Sequence, residues 1–278
     1  MGAQKQFDHY VVNTRLDMDG AEATFRSLGF TLTERGYHTL GSINHLMMFG
    51  TDYLELIGMP AGSTVSRPEL VDAPLGLNGL VFKTPNVDET FAELEGLSMA
   101  GDPPKAFSRP VAVAGGEQDA KFRTVAARTG VFPAGRVYFC EHGTPELVWR
   151  PEWQSHANGA KGMAEFIVVS EDFEQESANY ANLIGATAAK GNGSNRISAK
   201  TGDLLVMTPA AYAERFGALA LPMNGRRSIF GAMVLRVDTL DGIRGVLADM
   251  ASKPQTAEME GGVLVSVPGF DTLILFRP

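Results

Sequence analysis

The chain has 278 residues, 44% of them hydrophobic, with one cysteine and a formal net charge of −8. That length and apolar content support one large domain or two ordinary ones. The acidic balance, with no cluster of Lys or Arg, argues against nucleic acid as a partner, because neutralising phosphates needs a basic surface. The lone Cys140 excludes an internal disulfide framework. No segment reads as a secretion signal or a bilayer span, so the sequence favours a cytoplasmic protein without membrane partners.

The first 58 residues predict a strand, a helix and three further strands. Phe7, His9 and Val11 alternate with Asp8 and Tyr10, which is the two-residue period of a strand. An aspartate can cap the helix that follows, and a glycine can end it. The helix is bounded by Asp17 or Asp19 and by Gly29, and the later strands are predicted at Phe30–Thr33, Ile43–Phe49 and Tyr53–Ile57.

The same βαβββ order recurs three more times. The later copies begin at Leu77–Phe82, Ala164–Val169 and Phe230–Leu235, and an acidic opening and an amphipathic helix follow each. Recurrence at similar spacing indicates that one supersecondary unit has been copied. In the second copy the last strand is predicted over Arg136–Arg150, with a bend or bulge at Pro145, because proline cannot donate to a sheet ladder.

The repeat predicts an α+β fold in which four βαβββ units form two cupped sheets, each an incomplete barrel. A curved sheet of this kind has a concave side that is a natural ligand cavity. Residues Pro151–Lys161 are polar and turn-forming. They predict a boundary between a domain at 1–156, holding the first two units, and a degenerate second pair at 160–278.

Only the first two copies end in an apolar segment that carries an acid, namely Glu55 in YLEL and Glu146 in PELVW. His9 lies in the middle of the first strand. Histidine with carboxylates is a ligand set suited to Zn²⁺, Mn²⁺, Fe²⁺, Ni²⁺ or Mg²⁺. The residues alone also allow His9 to be a neutral core histidine, and Glu55 or Glu146 to face solvent.

The segments FDHYVV, NHLMMFG-TDYLELIG and YFCEHGTPELVW together resemble glyoxalase-like members of the vicinal oxygen chelate superfamily. The resemblance implies metal ligands on the first and last strands of two paired units, here His9, Glu55 and Glu146. Gly79 stands where the family has a second histidine, and His142 is the expected substitute. Glu55, Glu146 and His45 are the expected catalytic residues, with His45 as a general base.

The resemblance implies a metal-dependent lyase or isomerase of glyoxalase type, acting on a small oxygenated metabolite whose neighbouring oxygens chelate the cation. Two alternatives stay open. One is a non-catalytic small-molecule binding protein of the bleomycin-resistance type, and the other is a ring-cleaving dioxygenase. Apolar residues at Leu205 and Ile274, on the last strands of the second half, predict one active cup per chain. The second half is then scaffold or part of a homodimer contact.

Overall fold

The computed structural model describes residues 4–65 and 67–278, and within them four βαβββ units follow one another. The first unit comprises β1 (Phe7–Arg15), α1 (Met18–Ser27), β2 (Gly36–Tyr37), β3 (Ile43–Met48) and β4 (Tyr53–Gly58). A short helix, α2 (Pro68–Val71), leads to the second, which comprises β5 (Gly76–Lys83), α3 (Val87–Gly96), β6 (Lys105–Val113), β7 (Gly116–Ala126) and β8 (Arg136–His142).

The second half repeats this order. The third unit comprises β9 (Ala160–Ser170), α4 (Phe173–Ile184), β10 (Ala189–Lys190), β11 (Ser194–Ala199) and β12 (Gly202–Met207). An inserted helix, α5 (Pro209–Phe216), precedes the fourth, which comprises β13 (Ser228–Val237), α6 (Asp241–Asp249), β14 (Thr256–Met259), β15 (Gly262–Ser266) and β16 (Leu273–Arg277). The described residues also include three single-turn 3₁₀ helices, at Pro145–Leu147, Pro151–Trp153 and Gly217–Leu219.

Helix boundaries follow from local capping. Asp17 accepts a hydrogen bond from the backbone N–H of Gly20 at the start of α1, and Asn86 caps α3 in the same way. Gly185 ends α4 with φ of 76°, a left-handed conformation that glycine adopts without steric cost. Every helix in the described ranges is too short or too polar to span a bilayer.

Each pair of units builds one eight-stranded sheet. The order is β2-β3-β4-β1-β5-β8-β7-β6 in the first half and β10-β11-β12-β9-β13-β16-β15-β14 in the second. In the first sheet the two edges meet, because the backbone N–H of Thr39 donates to the carbonyl of Ser108 at 2.9 Å. The first sheet is therefore a nearly closed, cupped barrel, and the α+β fold of four βαβββ units is confirmed.

The helix-facing sides of both sheets share one apolar core. Tyr10 of the first sheet stacks on Phe166 of the second with ring centroids 5.4 Å apart, and Phe30 packs near Phe276. Large aromatic side chains buried between the two halves contribute strongly to the stability of the fold. The sheets occupy residues 7–142 and 160–277, while the division into domains at 1–156 and 160–278 stays a prediction.

Two predicted strands differ from the structure. Residues Phe30–Thr33 form no strand, and the second strand of the first unit is only Gly36–Tyr37. The strand predicted over Arg136–Arg150 ends at His142, and Pro145 opens a 3₁₀ helix instead of bending the strand. Proline suits the first position of a helix, because its missing N–H would have no partner there. Pro145 therefore starts a helical turn, and Glu146 lies on that turn and not on the strand.

Candidate functional site

The concave side of the first sheet encloses a cavity of about 790 Å³. This size suits a small organic ligand, and a few convergent polar groups in such a cavity are typical of a binding site. The polar lining of the cavity includes His9, Asn44, Tyr53, Glu55, Arg109 and Tyr138.

His9 lies on the wall of this cavity and is held by Asp8. The register of β1 against β5 shifts between Phe7 and His9. Oδ2 of Asp8 lies 2.6 Å from Nδ1 of His9, and the imidazole stacks on Tyr53 with centroids 4.5 Å apart. Burial opposes ionisation of Asp8, but His142 and His9 outweigh it and hold the pKa of Asp8 well below its usual value. An ionised carboxylate only accepts hydrogen bonds, so Nδ1 of His9 carries a proton and Nε2 faces the cavity.

Glu55, on the neighbouring strand β4, lies next to Nε2 of His9. Its Oε1 accepts a hydrogen bond from Nδ2 of Asn44 at 2.7 Å, and its Oε2 lies 3.6 Å from Nε2 of His9. The hydroxyl of Tyr138 lies 3.3 Å from the same nitrogen. Burial raises the pKa of Tyr138, so the phenol keeps its proton and can donate it. In the neutral form of His9, the Nε2 lone pair and the Glu55 carboxylate oxygen are two acceptors that face each other, at a distance that favours a proton or a cation between them.

The symmetry of the sheet shows which residues replace the other two family ligands. Val11 pairs with Gly79 and His9 pairs with Val81 across β1 and β5, so Gly79 is the counterpart of His9, as the sequence comparison indicated. Glu55 pairs with Val11, and Tyr138 pairs with Val81. Tyr138 is therefore the counterpart of Glu55. Two of the four ligand places hold a metal-ligating side chain, and two do not.

The structure does not bring Glu146 or His45 to the cavity, which corrects both predictions. Glu146 is exposed on the 3₁₀ helix beyond β8, because the strand ends three residues before Pro145. His45 lies on the opposite face of β3, where Nδ1 is 2.9 Å from the carbonyl of Thr33 and Nε2 is 3.0 Å from Glu22. Strand alternation sends only one of two neighbours inward, and in β3 that residue is Asn44.

His142 lies behind the cavity wall, next to the His9–Glu55 pair but not within it. Its Nε2 is 2.9 Å from Oδ2 of Asp8. One ligand atom from each of Asp8, Cys140 and His142 lies within 4.8 Å of the others, an arrangement that could hold a metal ion. Burial raises the pKa of the Cys140 thiol, which opposes formation of the thiolate that a metal prefers.

Several cavity residues were not predicted from the sequence. Arg109 shares one face of β6 with Phe107 and Val111, and this two-residue period is the signal that could have placed it inward. His38 lines the cavity with Nδ1 2.9 Å from the hydroxyl of Ser42, and burial lowers its pKa to about 4. His38 is therefore neutral at neutral pH. Arg226 reaches the cavity from the second half.

The second cup is filled by protein. Tyr212 and Phe216 of α5 pack against Ile167 and Leu205 on the concave side of the second sheet. The hydroxyl of Tyr212 donates to the carbonyl of Gly231 at 2.9 Å. Glu165, on the strand that corresponds to β1, is paired with three arginines, namely Arg196, Arg215 and Arg277. Its charge is therefore compensated within the protein, as a buried charge requires.

Known proteins resemble the chain chiefly in fold. A family model described as a glyoxalase-like domain matches residues 7–184. A hypothetical protein from Staphylococcus aureus superposes with a TM-score of 0.66 at 13% identity, covering 99% of both chains. A mutant 4-hydroxymandelate synthase from Streptomyces coelicolor gives a TM-score of 0.61 at 13% identity, covering 99% of this chain and 92% of that one. The Mn(II)-bound glyoxalase from Novosphingobium aromaticivorans gives 0.57 at 10% identity, covering 99% and 82%. No curated protein matches the sequence significantly.

The family model spans more than half of the chain, and its matched region contains the whole first sheet and the His9–Glu55 pair. The paired βαβββ units and the cupped sheet agree with that assignment. The chain therefore belongs to the glyoxalase-like domain family of the vicinal oxygen chelate superfamily.

Proposed function

We propose that the first-half cavity is the active site of a metal-dependent lyase or isomerase, in which His9 and Glu55 hold a divalent cation. The observation that carries this proposal is the pair of facing acceptors, Nε2 of His9 and Oε2 of Glu55, 3.6 Å apart. His9 and Glu55 would together hold the ion. A nitrogen and an oxygen ligand suit Mn²⁺, Fe²⁺, Ni²⁺ or Zn²⁺.

The surroundings of His9 also suit a metal ligand. A ligating histidine usually donates its other N–H to a carboxylate, which fixes the tautomer and the ring orientation. Asp8 supplies that carboxylate. His9 and Glu55 would hold the cation, and the cavity would leave room beside them for a small oxygenated substrate. The Mn(II)-bound glyoxalase among the structural neighbours supports the same choice of ion class.

The bound cation would supply Lewis-acid polarisation of the substrate oxygens. The side chains of the protein position the ligands and supply a hydrogen-bond donor. Asn44 fixes Glu55 through a 2.7 Å hydrogen bond, which keeps the carboxylate aimed at the same point as His9. Tyr138, protonated because burial raises its pKa, can donate its hydroxyl proton in a hydrogen bond to an oxygen that becomes negative.

The test is metal analysis of protein purified without chelators. We expect about one equivalent of a transition metal per chain in the wild type and none in His9→Ala, with circular dichroism unchanged. His45→Gln is the matched control, because His45 lies outside the cavity, and it should keep its metal. Metal that survives His9→Ala but is lost in Cys140→Ala would place the ion at Asp8, Cys140 and His142 and contradict the proposal.

A metal-free binding protein of the bleomycin-resistance type is the second candidate. Gly79 and Tyr138 at two of the four ligand places favour it. It predicts no metal in the purified protein together with tight binding of a small molecule. The ring-cleaving dioxygenase has less support, because its usual set of two histidines and one carboxylate finds only His9 and Glu55 at these places.

A further inference from the structure

Two guanidinium groups in the cavity have unused hydrogen-bond donors. Arg109 on β6 is only 4% exposed, and its Nη2 has no partner among the described residues. Nη2 of Arg136 on β8 is also buried and unpartnered within that part of the chain, while its Nε donates to Asn78 at 3.3 Å. Both residues line the cavity.

A buried donor of a charged group that lacks a hydrogen-bond partner lowers the stability of the fold, so the free Nη2 of Arg109 suggests a site for a ligand. The guanidinium stays charged in proteins. Burial lowers the pKa of Arg109, and the negative charge of Glu55 offsets only part of that effect. Glu55 makes no hydrogen bond to Arg109 but accepts one from Asn44. The charge of Arg109 is therefore available to an anion that enters the cavity.

The fold makes room for Arg109 next to the His9–Glu55 pair. Gly36 of β2 lies against it, and a Cβ built on Gly36 would come within 2.9 Å of Cδ of Arg109 and 2.3 Å of Oδ1 of Asn44. The missing side chain leaves room for Arg109 and Asn44 on either side of Gly36 at the closing seam of the barrel. Asn44 in turn holds Glu55, so an anion on Arg109 would lie close to the reacting centre.

The rest of the cavity is consistent with an anionic ligand that has an apolar body. Cationic side chains outnumber acidic ones along its wall, although the whole chain carries a net charge of −8. The cations are Arg67, Lys105, Arg109, Arg128, Arg136 and Arg226, and the acids are Glu55, Glu69 and Asp102. Phe107 and Phe122 stack at 5.2 Å beside Arg109 and offer an apolar surface.

We propose that the substrate of this site carries a carboxylate, which Arg109 binds and Arg136 assists, with an apolar group against Phe107 and Phe122. This inference rests on the proposed function for the identity of the site, but not on the metal. A planar guanidinium with free donors matches the two oxygens of a carboxylate. Arg109 would thus orient the substrate relative to His9 and Glu55.

The test uses phenylacetate as the probe and phenylacetamide as its neutral analogue, with calorimetry on full-length protein treated with EDTA. We expect phenylacetate to bind the wild type about tenfold or more tightly than phenylacetamide. Arg109→Gln should remove about that factor for phenylacetate and leave phenylacetamide unchanged. Arg123→Gln is the matched control, because Arg123 lies outside the cavity lining and is paired with Asp88, and it should bind like the wild type.

Equal binding of phenylacetate by the wild type and Arg109→Gln, or no preference for phenylacetate over phenylacetamide, overturns the inference. Tighter binding of phenyl phosphate than of phenylacetate overturns the carboxylate class. If Arg109→Gln does not fold, Arg109→Lys keeps the charge, loses the forked donors and should still weaken phenylacetate severalfold. Mn²⁺ uptake by the Arg109 variant is measured separately and should equal that of the wild type, so failure here is distinct from failure of the metal proposal.

Discussion

Asp8 and His9 form a buried pair in which a carboxylate oxygen lies 2.6 Å from Nδ1 of the imidazole. They are neighbours in the sequence, yet both side chains meet because the register of β1 shifts against β5 at this point. The same carboxylate oxygen lies 2.9 Å from His142. One buried acid therefore orients two rings, and only the His9 ring faces the cavity.

Replacement of Asp8 by asparagine tests this orientation. An asparagine can donate through its amide nitrogen, which lets Nδ1 of His9 become the acceptor and moves the proton to Nε2. We expect Asp8→Asn to weaken metal binding about 10- to 100-fold, as is usual for such supporting residues. Competition titration with a chromogenic chelator measures the change. Asp119→Asn, an exposed change on the same sheet, should have no effect, and an equal loss in both variants would contradict the orienting role of Asp8.

Glu55 and Glu146 should behave oppositely, since only Glu55 faces His9. Glu55→Gln replaces the facing oxygen by an amide that can donate to Nε2 of His9. We therefore expect metal uptake to be lost while the thermal midpoint stays equal or rises. Glu146→Gln should change neither quantity, because Glu146 is exposed beyond the sheet. Metal loss in Glu146→Gln would restore the ligand set inferred from the sequence.

The sequence was sufficient for the fold because its information is periodic. The alternation in FDHYVV and the recurring strand–helix order predict the βαβββ units, and each of the four is present. The strand positions of His9 and Glu55 could be predicted for the same reason, since both lie in the middle of strands with apolar flanks. The distance between Nε2 of His9 and Oε2 of Glu55 is 3.6 Å. It depends on how the strands pair, so it could not be predicted from the positions of the two residues in the sequence.

The wrong predictions concern residues whose orientation depends on strand register and on where a strand ends. Asn44 and His45 are adjacent in β3, and a strand pattern alone does not tell which of them faces inward. The sequence predicts a last strand of the second unit that runs as far as Glu146. Glu146 lies eight residues beyond Tyr138, so this prediction hides the counterpart of Glu55. Arg109 was missed because a charge in an edge strand usually faces solvent. Here the closing contact between Thr39 and Ser108 turns the edge into a cavity wall.

Tyr138→Glu should strengthen metal binding. Tyr138 is the counterpart of Glu55, and its hydroxyl lies 3.3 Å from Nε2 of His9. A carboxylate there would add a third ligand and a negative charge, so we expect an affinity gain of about tenfold or more. Tyr138→Phe removes only the hydroxyl and should leave the affinity nearly unchanged. If Tyr138→Glu binds metal no better than Tyr138→Phe, the symmetry argument for the site is wrong.

Asp52 should make stability depend on pH. Its carboxylate joins the two halves by accepting hydrogen bonds from Tyr10 and from the backbone N–H of Met163, and burial raises its pKa from 3.8 to about 6. The folded state thus holds this proton more tightly than the unfolded chain. The contribution of Asp52 is fully present below its unfolded pKa and is lost as the pH rises through about 6, a change of about 3 kcal/mol in the free energy of unfolding.

Urea unfolding at pH 4.5 and 7.5 measures this effect. In Asp52→Asn the side chain cannot ionise, so the drop in stability between the two pH values should be smaller than in the wild type. Asp119→Asn, which changes an exposed carboxylate, should follow the wild type. A drop of the same size in Asp52→Asn and the wild type would show that another group is responsible.

Removal of the side chain that fills the second cup should cost stability without affecting the site. Phe216 on α5 is 3% exposed and packs in the apolar cluster on the concave side of the second sheet. We expect Phe216→Ala to lower the free energy of unfolding by about 3–5 kcal/mol, because it removes a large buried ring and leaves a void. Metal content should stay at one equivalent per chain, since His9 and Glu55 belong to the other sheet. Glu214→Gln on the exposed side of the same helix is the control, and a second metal or ligand equivalent that disappears in Phe216→Ala would show that both cups bind.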